Sequence, residues 1–180
     1  MKTHQDRARG RRWLALVAAI AAIAAGHARA ADQVCRAGKA PPRSTLIVTE
    51  RATVIDRQAR LEWQRCPVGL GGPACAQGSL ERFNAVRAHD ALADYNKAQG
   101  LTGRRAWRLP TQAELRALVL PGCANPAIDQ KAFPNTPQTT FWALEFDGGN
   151  AAYVDFRDGH AGYDDANLPN PARWVRAAPR

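Results

Sequence analysis

Three groups of side chains in this 180-residue chain carry atoms able to do chemistry. Arg108 and Glu114 form one group, a cation and a carboxylate close enough in sequence to act as an acid–base pair or an ion pair. Arg157, His160, Tyr163, Asp164 and Asp165 form the second. His160 and Tyr163 offer hydrogen-bond donors and a stacking ring, and Arg157 a charge for acidic or sulfated groups. The third is the cysteine set, Cys35, Cys66, Cys75 and Cys123. Nucleophilic catalysis is poorly equipped. Beyond residue 30 the chain has only Ser44 and Ser79 as serines and only His89 and His160 as histidines. A Ser-His-Asp set would need distant loops to converge. Asp155, Asp158, Asp164 and Asp165 suggest calcium, but they read better as solvated loop charges, and no cofactor or metal is expected.

The element that positions the first group is Trp107-Arg108-Leu109-Pro110-Thr111-Gln112-Ala113-Glu114-Leu115. It reads as a short buried strand stopped by Pro110, which excludes a helical Leu109, followed at once by a helix. Thr111 is the N-cap and Glu114 completes a capping box, so Glu114 has a structural role before any catalytic one. Arg108 is expected to pair with a carboxylate or with loop carbonyls. Leu115, Leu118 and Val119 form one apolar face, and Pro121-Gly122 ends the helix.

Around this unit the periodicities predict an α+β domain. Leu46 to Val48 is a short strand. Val54 to Asp56 and Leu61 to Arg65 flank Arg57-Gln58-Ala59-Arg60 as a hairpin, with Leu61 and Trp63 on one face. A helix carries Ala88, Ala91, Leu92, Tyr95 and Ala98 on one side and ends at Gly100 and Gly103. Its start has two readings: Asn84 caps it, or residues 81–86 are a strand. His89 falls on its surface beside Asp90. Ile128 and Phe133 pin a long loop that runs through Asn125-Pro126 and Phe133-Pro134. Phe141 to Phe146 and Ala151 to Phe156 make a second hairpin. Trp142, Leu144 and Phe146 share one face of it, and Ala152, Val154 and Phe156 another. A polar loop, Asp158 to Pro171, leads to a last strand, Arg173 to Arg176. Trp63, Trp107 and Trp142 are expected in the scaffold.

The address is legible at the N-terminus. Arg7, Arg9, Arg11 and Arg12 precede an apolar run from Leu14 to Gly26, and Ala28-Arg29-Ala30 supplies a small-x-small cleavage pattern. Residues 1–30 thus read as a signal peptide, with Ala31 starting the mature chain and residues 31–45 forming an arm. The run is short of the ~20 residues that span a bilayer, so no membrane span is expected after cleavage. The chain holds 25 basic and 16 acidic residues, and residues 1–30 contain six and one of these, so the remainder carries +4. That charge is ordinary for a soluble domain and removes most of the case for nucleic acid. About 150 remaining residues fit one domain.

An even cysteine count in an exported chain reads as two disulfides. Cys66 and Cys75 flank a Gly- and Pro-rich loop built to turn and are paired on that ground, which leaves Cys35 with Cys123. In the chain-entropy picture the short loop contributes roughly 3 kcal/mol and the long one somewhat over 4. A zinc site is disfavoured, because the thiols lack metal-ligand spacing.

The order of motifs resembles a known family. Val54-Ile55-Asp56, Leu61-Glu62-Trp63-Gln64-Arg65-Cys66, Trp107-Arg108-Leu109-Pro110-Thr111 with Glu114-Leu115, Asn125-Pro126-Ala127-Ile128-Asp129, Phe133-Pro134-Asn135-Thr136-Pro137, Val154-Asp155-Phe156 and Val175-Arg176 occur in that order. Together they resemble the Lcl C-terminal domain family, named for a Legionella collagen-like adhesin, over most of residues 46–177. The resemblance implies a C-type-lectin-like, formylglycine-generating-enzyme-like fold in which two helices pack on short antiparallel strands, hairpins and long loops. It also implies an exported setting, and the named adhesin's domain is associated with sulfated polysaccharides. Two departures stand out. The family's first hairpin usually turns through Thr-Gly, whereas Ala59-Arg60 stands here, so either a non-glycine residue is held at positive φ or the turn is longer. No collagen-like stalk lies upstream, so trimeric presentation is not implied. The reactive cysteine pair of formylglycine-generating enzymes is absent after Cys123, as are the Glu-Pro-Asn and Gln-Pro-Asp sugar motifs of lectins.

The reading that follows is a periplasmic or secreted, non-enzymatic domain over residues 46–180. It binds a polysaccharide or an acidic or sulfated glycan through the 158–171 loop and the adjacent hairpin. The alternative is a structural module of the cell envelope with a protein partner and no small-molecule ligand. An enzyme comes third, for want of a nucleophile or an acid–base pair.

Overall fold

The computed structural model describes residues 33–36 and 45–180; the expected leader and most of the arm lie outside them. In chain order the elements are β1 (Val34–Cys35), β2 (Leu46–Val48), β3 (Thr53–Asp56), β4 (Leu61–Gln64), β5 (Leu70–Gly71), β6 (Gln77–Gly78), α1 (Ala85–Ala98), α2 (Gln112–Arg116), β7 (Cys123–Ala124), β8 (Thr140–Asp147), β9 (Asn150–Asp155), β10 (Ala161–Asp165) and β11 (Val175–Ala177). A single 3-10 turn, Gly103–Arg105, follows α1. The strands pair antiparallel as a four-stranded sheet β11-β4-β3-β2, a three-stranded sheet β10-β9-β8, and two ribbons, β1-β7 and β5-β6. The domain is therefore mixed α and β with two helices. No helix among the described residues is long and apolar enough to cross a membrane.

Local chemistry accounts for most boundaries. Asp56 accepts from the amides of Gln58 and Ala59, and Arg60 is held at φ 56°, so the first hairpin turns on a non-glycine residue at positive φ. Asn84 settles the start of α1 by accepting from the Arg87 amide. Phe83, just before it, bridges to Asn170. The residues around Leu109 make one bridge, Arg108 to Val175, rather than a strand. The capping box closes as the sequence requires, but α2 ends at Arg116, short of Val119. Val119 instead bridges to Ile128 at the foot of the long loop, whose anchors Ile128 and Phe133 are fully buried.

Two apolar clusters result. One lies between the sheets and holds Val54, Trp63, Leu115, Phe133, Phe141, Val154 and Phe156. The other lies beneath α1 and holds Ala88, Leu92, Trp107, Trp142 and Trp174. The Trp142 indole donates to the Phe83 carbonyl at 2.7 Å. The Asn96 side chain clasps Trp107 through both its carbonyl and its amide, at 2.8 and 2.9 Å. Cys35 pairs with Cys123 and Cys66 with Cys75.

The second hairpin departs from the expected facing. Trp142 is buried, but Leu144 and Phe146 are 38% and 44% exposed. A register shift between Trp142 and Phe146 breaks the alternation, so the outer half of β8 leaves the core. The expected polar loop from Asp158 also contains β10, which pairs with β9 over residues 161–165.

Candidate functional site

Arg108 and Glu114 are brought together, and their arrangement is structural. The guanidinium of Arg108 makes a two-pronged contact with the Glu114 carboxylate, both bonds 2.7 Å, and also donates to its neighbour's Leu109 carbonyl. Glu114 accepts from the Thr111 amide as well. Burial alone would raise the Glu114 pKa. Hydrogen bonds from Arg108 and Thr111, with the Arg108 charge, outweigh it and hold the carboxyl below its ordinary 4.5. A carboxylate so committed is a poor general base.

This geometry carries a pH prediction. A folded-state pKa below the unfolded value stabilises the fold above pH 4.5, and that stabilisation is lost as pH falls through the folded value. Glu62 acts in the same direction. Glu114→Gln should cost about 1–2 kcal/mol at neutral pH through the lost cap and pairing. Its deficit in urea midpoint relative to wild type should shrink below pH 4.5. A deficit that stays constant with pH would overturn this account.

The residues expected as a ligand platform occupy an edge strand and the turn before it. The amide of Gln112, at the start of α2, is met by the Glu145 carboxylate, and its side chain donates to the carbonyls of Gly162 and Tyr153 at 2.7 and 3.3 Å. This fixes β10 against β9. Strand alternation then puts Tyr163 and Asp165 on one side and Gly162 and Asp164 on the other. His160 lies with its ring 6.2 Å from that of Tyr153. The four aspartates close turns: Asp155 accepts from the Arg157 amide, Asp158 from His160, Asp164 from Asp165 and Asp165 from Asn167. A polar hollow of about 480 Å³ gathers His160 with Arg116, Asp158, Gly159 and Ala161. Arg157, Tyr163, Asp164 and Asp165 do not line it.

A second concavity has a different character. It encloses about 410 Å³ and is lined by Arg51, Arg104, Arg105, Arg176 and Arg180, with Glu62 as its one acidic side chain. Arg51 comes from the β2–β3 turn, where Ala52 sits at φ 57°. Arg104 and Arg105 come from the 3-10 turn, which Gly103 enters at φ 57°. Arg176 comes from β11, its guanidinium 4.2 Å above the Trp107 ring and its Nη1 donating to the Arg105 carbonyl. Glu62 is already held by Arg176 at 2.8 Å. Burial would raise its pKa, but hydrogen bonds from Arg176 and Thr53, with the charges of Arg176 and Arg51, bring it below the ordinary glutamate range. Arg104 and Arg105 are exposed and have no carboxylate partner among the described residues. The cleft therefore presents a surplus of forked donors suited to carboxylate or sulfate oxygens. In sequence, only the Arg104-Arg105 dipeptide hinted at it.

These features define a disulfide-linked α+β domain whose strongest surface chemistry is an arginine-lined cleft. A family model of the Lcl C-terminal domain matches residues 52–176, and the chain belongs to that family. No curated protein and no solved structure matches it.

Proposed function

We propose that this is an exported, non-enzymatic binding module of C-type-lectin-like architecture that recognises an acidic or sulfated polysaccharide in the periplasm or at the cell surface. The observation that carries the reading is the arginine cleft, where several arginines line a hollow whose one acidic side chain is already paired with Arg176. On this reading Arg51, Arg104 and Arg105, and not Arg157, take the anion-binding role. Exposed arginine contacts to anionic groups each contribute roughly 0.2–1 kcal/mol, so three together amount to about tenfold in affinity.

Heparin chromatography tests this. The triple variant Arg51→Ala, Arg104→Ala, Arg105→Ala should elute at clearly lower salt than wild type. Arg157→Ala and Tyr163→Ala should elute with wild type. The reverse pattern would return the site to the β10 edge, and no retention of wild type would remove the reading. A protein partner in the envelope is the second reading. Exposed Val86, one helical turn from His89, and Phe146, whose ring lies 5.7 Å from that of His89, favour it. A stoichiometric partner that stays bound in heparin-eluting salt and is lost with Phe146→Ser would support it.

A further inference from the structure

A hollow of about 630 Å³ lies between β4, the Cys66–Cys75 loop and α1, with Trp174 in its wall. Its lining is amphipathic. Val68, Leu70 and the ring of Tyr95 supply apolar surface, and Gln64, Glu81 and Asp94 supply polar ends. Tyr95 rests against Trp174 with ring centroids 4.9 Å apart, so the ring is braced from behind. On the opposite side the wall is bare backbone at Gly69, Gly71 and Gly72. Gly69 has to be glycine: its φ is 87°, and a Cβ there would sit 2.1 Å from the Ser79 carbonyl.

We infer that this cleft is a second binding site, for an uncharged saccharide ring. Its size suits a ring or a pair of rings, whereas a small ion would leave most of it empty. Its charge rules out acidic sugars: no basic residue lines it, and Glu81 and Asp94 make no ion pair among the described residues. Carboxylates and the Gln64 carbonyl accept from hydroxyl groups, while Tyr95 and Leu70 meet the apolar face of a pyranose. The Trp174 indole N–H is buried and has no acceptor among the described residues. A hydroxyl group can donate to the acids and also accept from the Gln64 amide, which an ammonium group cannot do.

The cleft adjoins the arginine site. Glu62 and Gln64 share one face of β4, and Arg176 of β11 and Trp174 just before it lie across from them, so one face of the four-stranded sheet contributes to both hollows. A polysaccharide with an uncharged ring beside an acidic one would meet both. That last step rests on the proposed function; the saccharide cleft itself does not.

The test is a titration of the oxidised domain with maltose, cellobiose, lactose and N,N′-diacetylchitobiose, followed by amide and indole nitrogen–proton spectra. At tens of millimolar, one of these disaccharides should move the Trp174 indole and the Tyr95 amide with a saturating curve. The variant Glu81→Gln, Asp94→Asn should weaken that binding several-fold and leave distant resonances in place, which shows that it folds. Tyr95→Ala should abolish it, and Arg104→Ala with Arg105→Ala should leave it unchanged. The inference fails if no disaccharide moves the Trp174 indole. It also fails if tetramethylammonium moves it at lower concentration than every sugar, which would make the cleft a cation site.

Discussion

Arg173→Ala should lower the unfolding free energy by about 3–5 kcal/mol, the largest single-site effect expected in this domain. Arg173 is 0% exposed and has no carboxylate partner among the described residues. Its Nη1 donates to the carbonyls of Gln64 and Arg65, and its Nη2 to the Thr136 hydroxyl at 2.8 Å. The guanidinium also stacks 4.8 Å from the centre of the Phe133 ring. One side chain thus joins the end of β4 to the long loop that closes the core. Alanine would strand three acceptors and open a void against Phe133 and Phe141, and both costs have the same sign. Burial pushes the guanidinium down to about 9, so it remains charged at neutral pH. Because this folded value lies below the ordinary arginine range, the charge itself opposes folding, in full below about pH 9, and the hydrogen bonds and rings offset that cost. The deficit of Arg173→Ala in urea should therefore be flat between about pH 5 and 8, unlike that of Glu114→Gln in acid. In a domain of this size it corresponds to roughly 10 °C in Tm. A loss under about 1 kcal/mol would show that the loop closes without the arginine.

Features legible in the sequence were those decided within a few residues. The Thr111–Glu114 capping box needs only its own four residues, and it forms. The Cys66–Cys75 pairing follows from a loop that must turn. The first hairpin kept its register although its turn uses Arg60 at positive φ, because the Asp56 carboxylate closes it. What was not legible depends on residues far apart. Residues 161–165 contain a glycine and two aspartates and no β-branched residue, so β10 exists through pairing with β9 and the Gln112 clamp. The register shift that exposes Leu144 and Phe146 leaves no mark in an alternating pattern. Beyond the Arg104-Arg105 dipeptide, neither core nor cleft advertised its arginines. Arg173 reads as an ordinary strand-end residue, and Arg51, Arg105 and Arg176 meet only once the four-stranded sheet has formed.

The two disulfides should differ in what their loss does, and loop length decides how. Cys35–Cys123 spans a sequence separation of 88, against 9 for Cys66–Cys75. In the chain-entropy picture, replacing both members of the long bridge by alanine costs about 4–5 kcal/mol, and doing the same to the short one about 3. The arm has other ties that hold it in the folded state, so the entropic cost of losing the bridge falls on the unfolded chain. Gln33 donates to the carbonyls of Pro126 and Ile128, and the Arg36 amide donates to Gly122. For the short bridge the local consequence should exceed the global one. Its loop is held otherwise by Arg65 to the Pro73 carbonyl and Asn135 to the Cys75 carbonyl, and it forms the glycine wall of the saccharide cleft. Cys35→Ala with Cys123→Ala should therefore show the larger drop in urea midpoint and leave amide exchange in residues 67–78 unchanged. Cys66→Ala with Cys75→Ala should show the smaller drop, fast exchange confined to those residues, and weakened disaccharide binding. If the short bridge instead proved the larger contributor to global stability, loop closure would not be how these cross-links act. The Cys66–Cys75 loop would then belong to the cooperative core, and not to a local unit that the bridge keeps in shape.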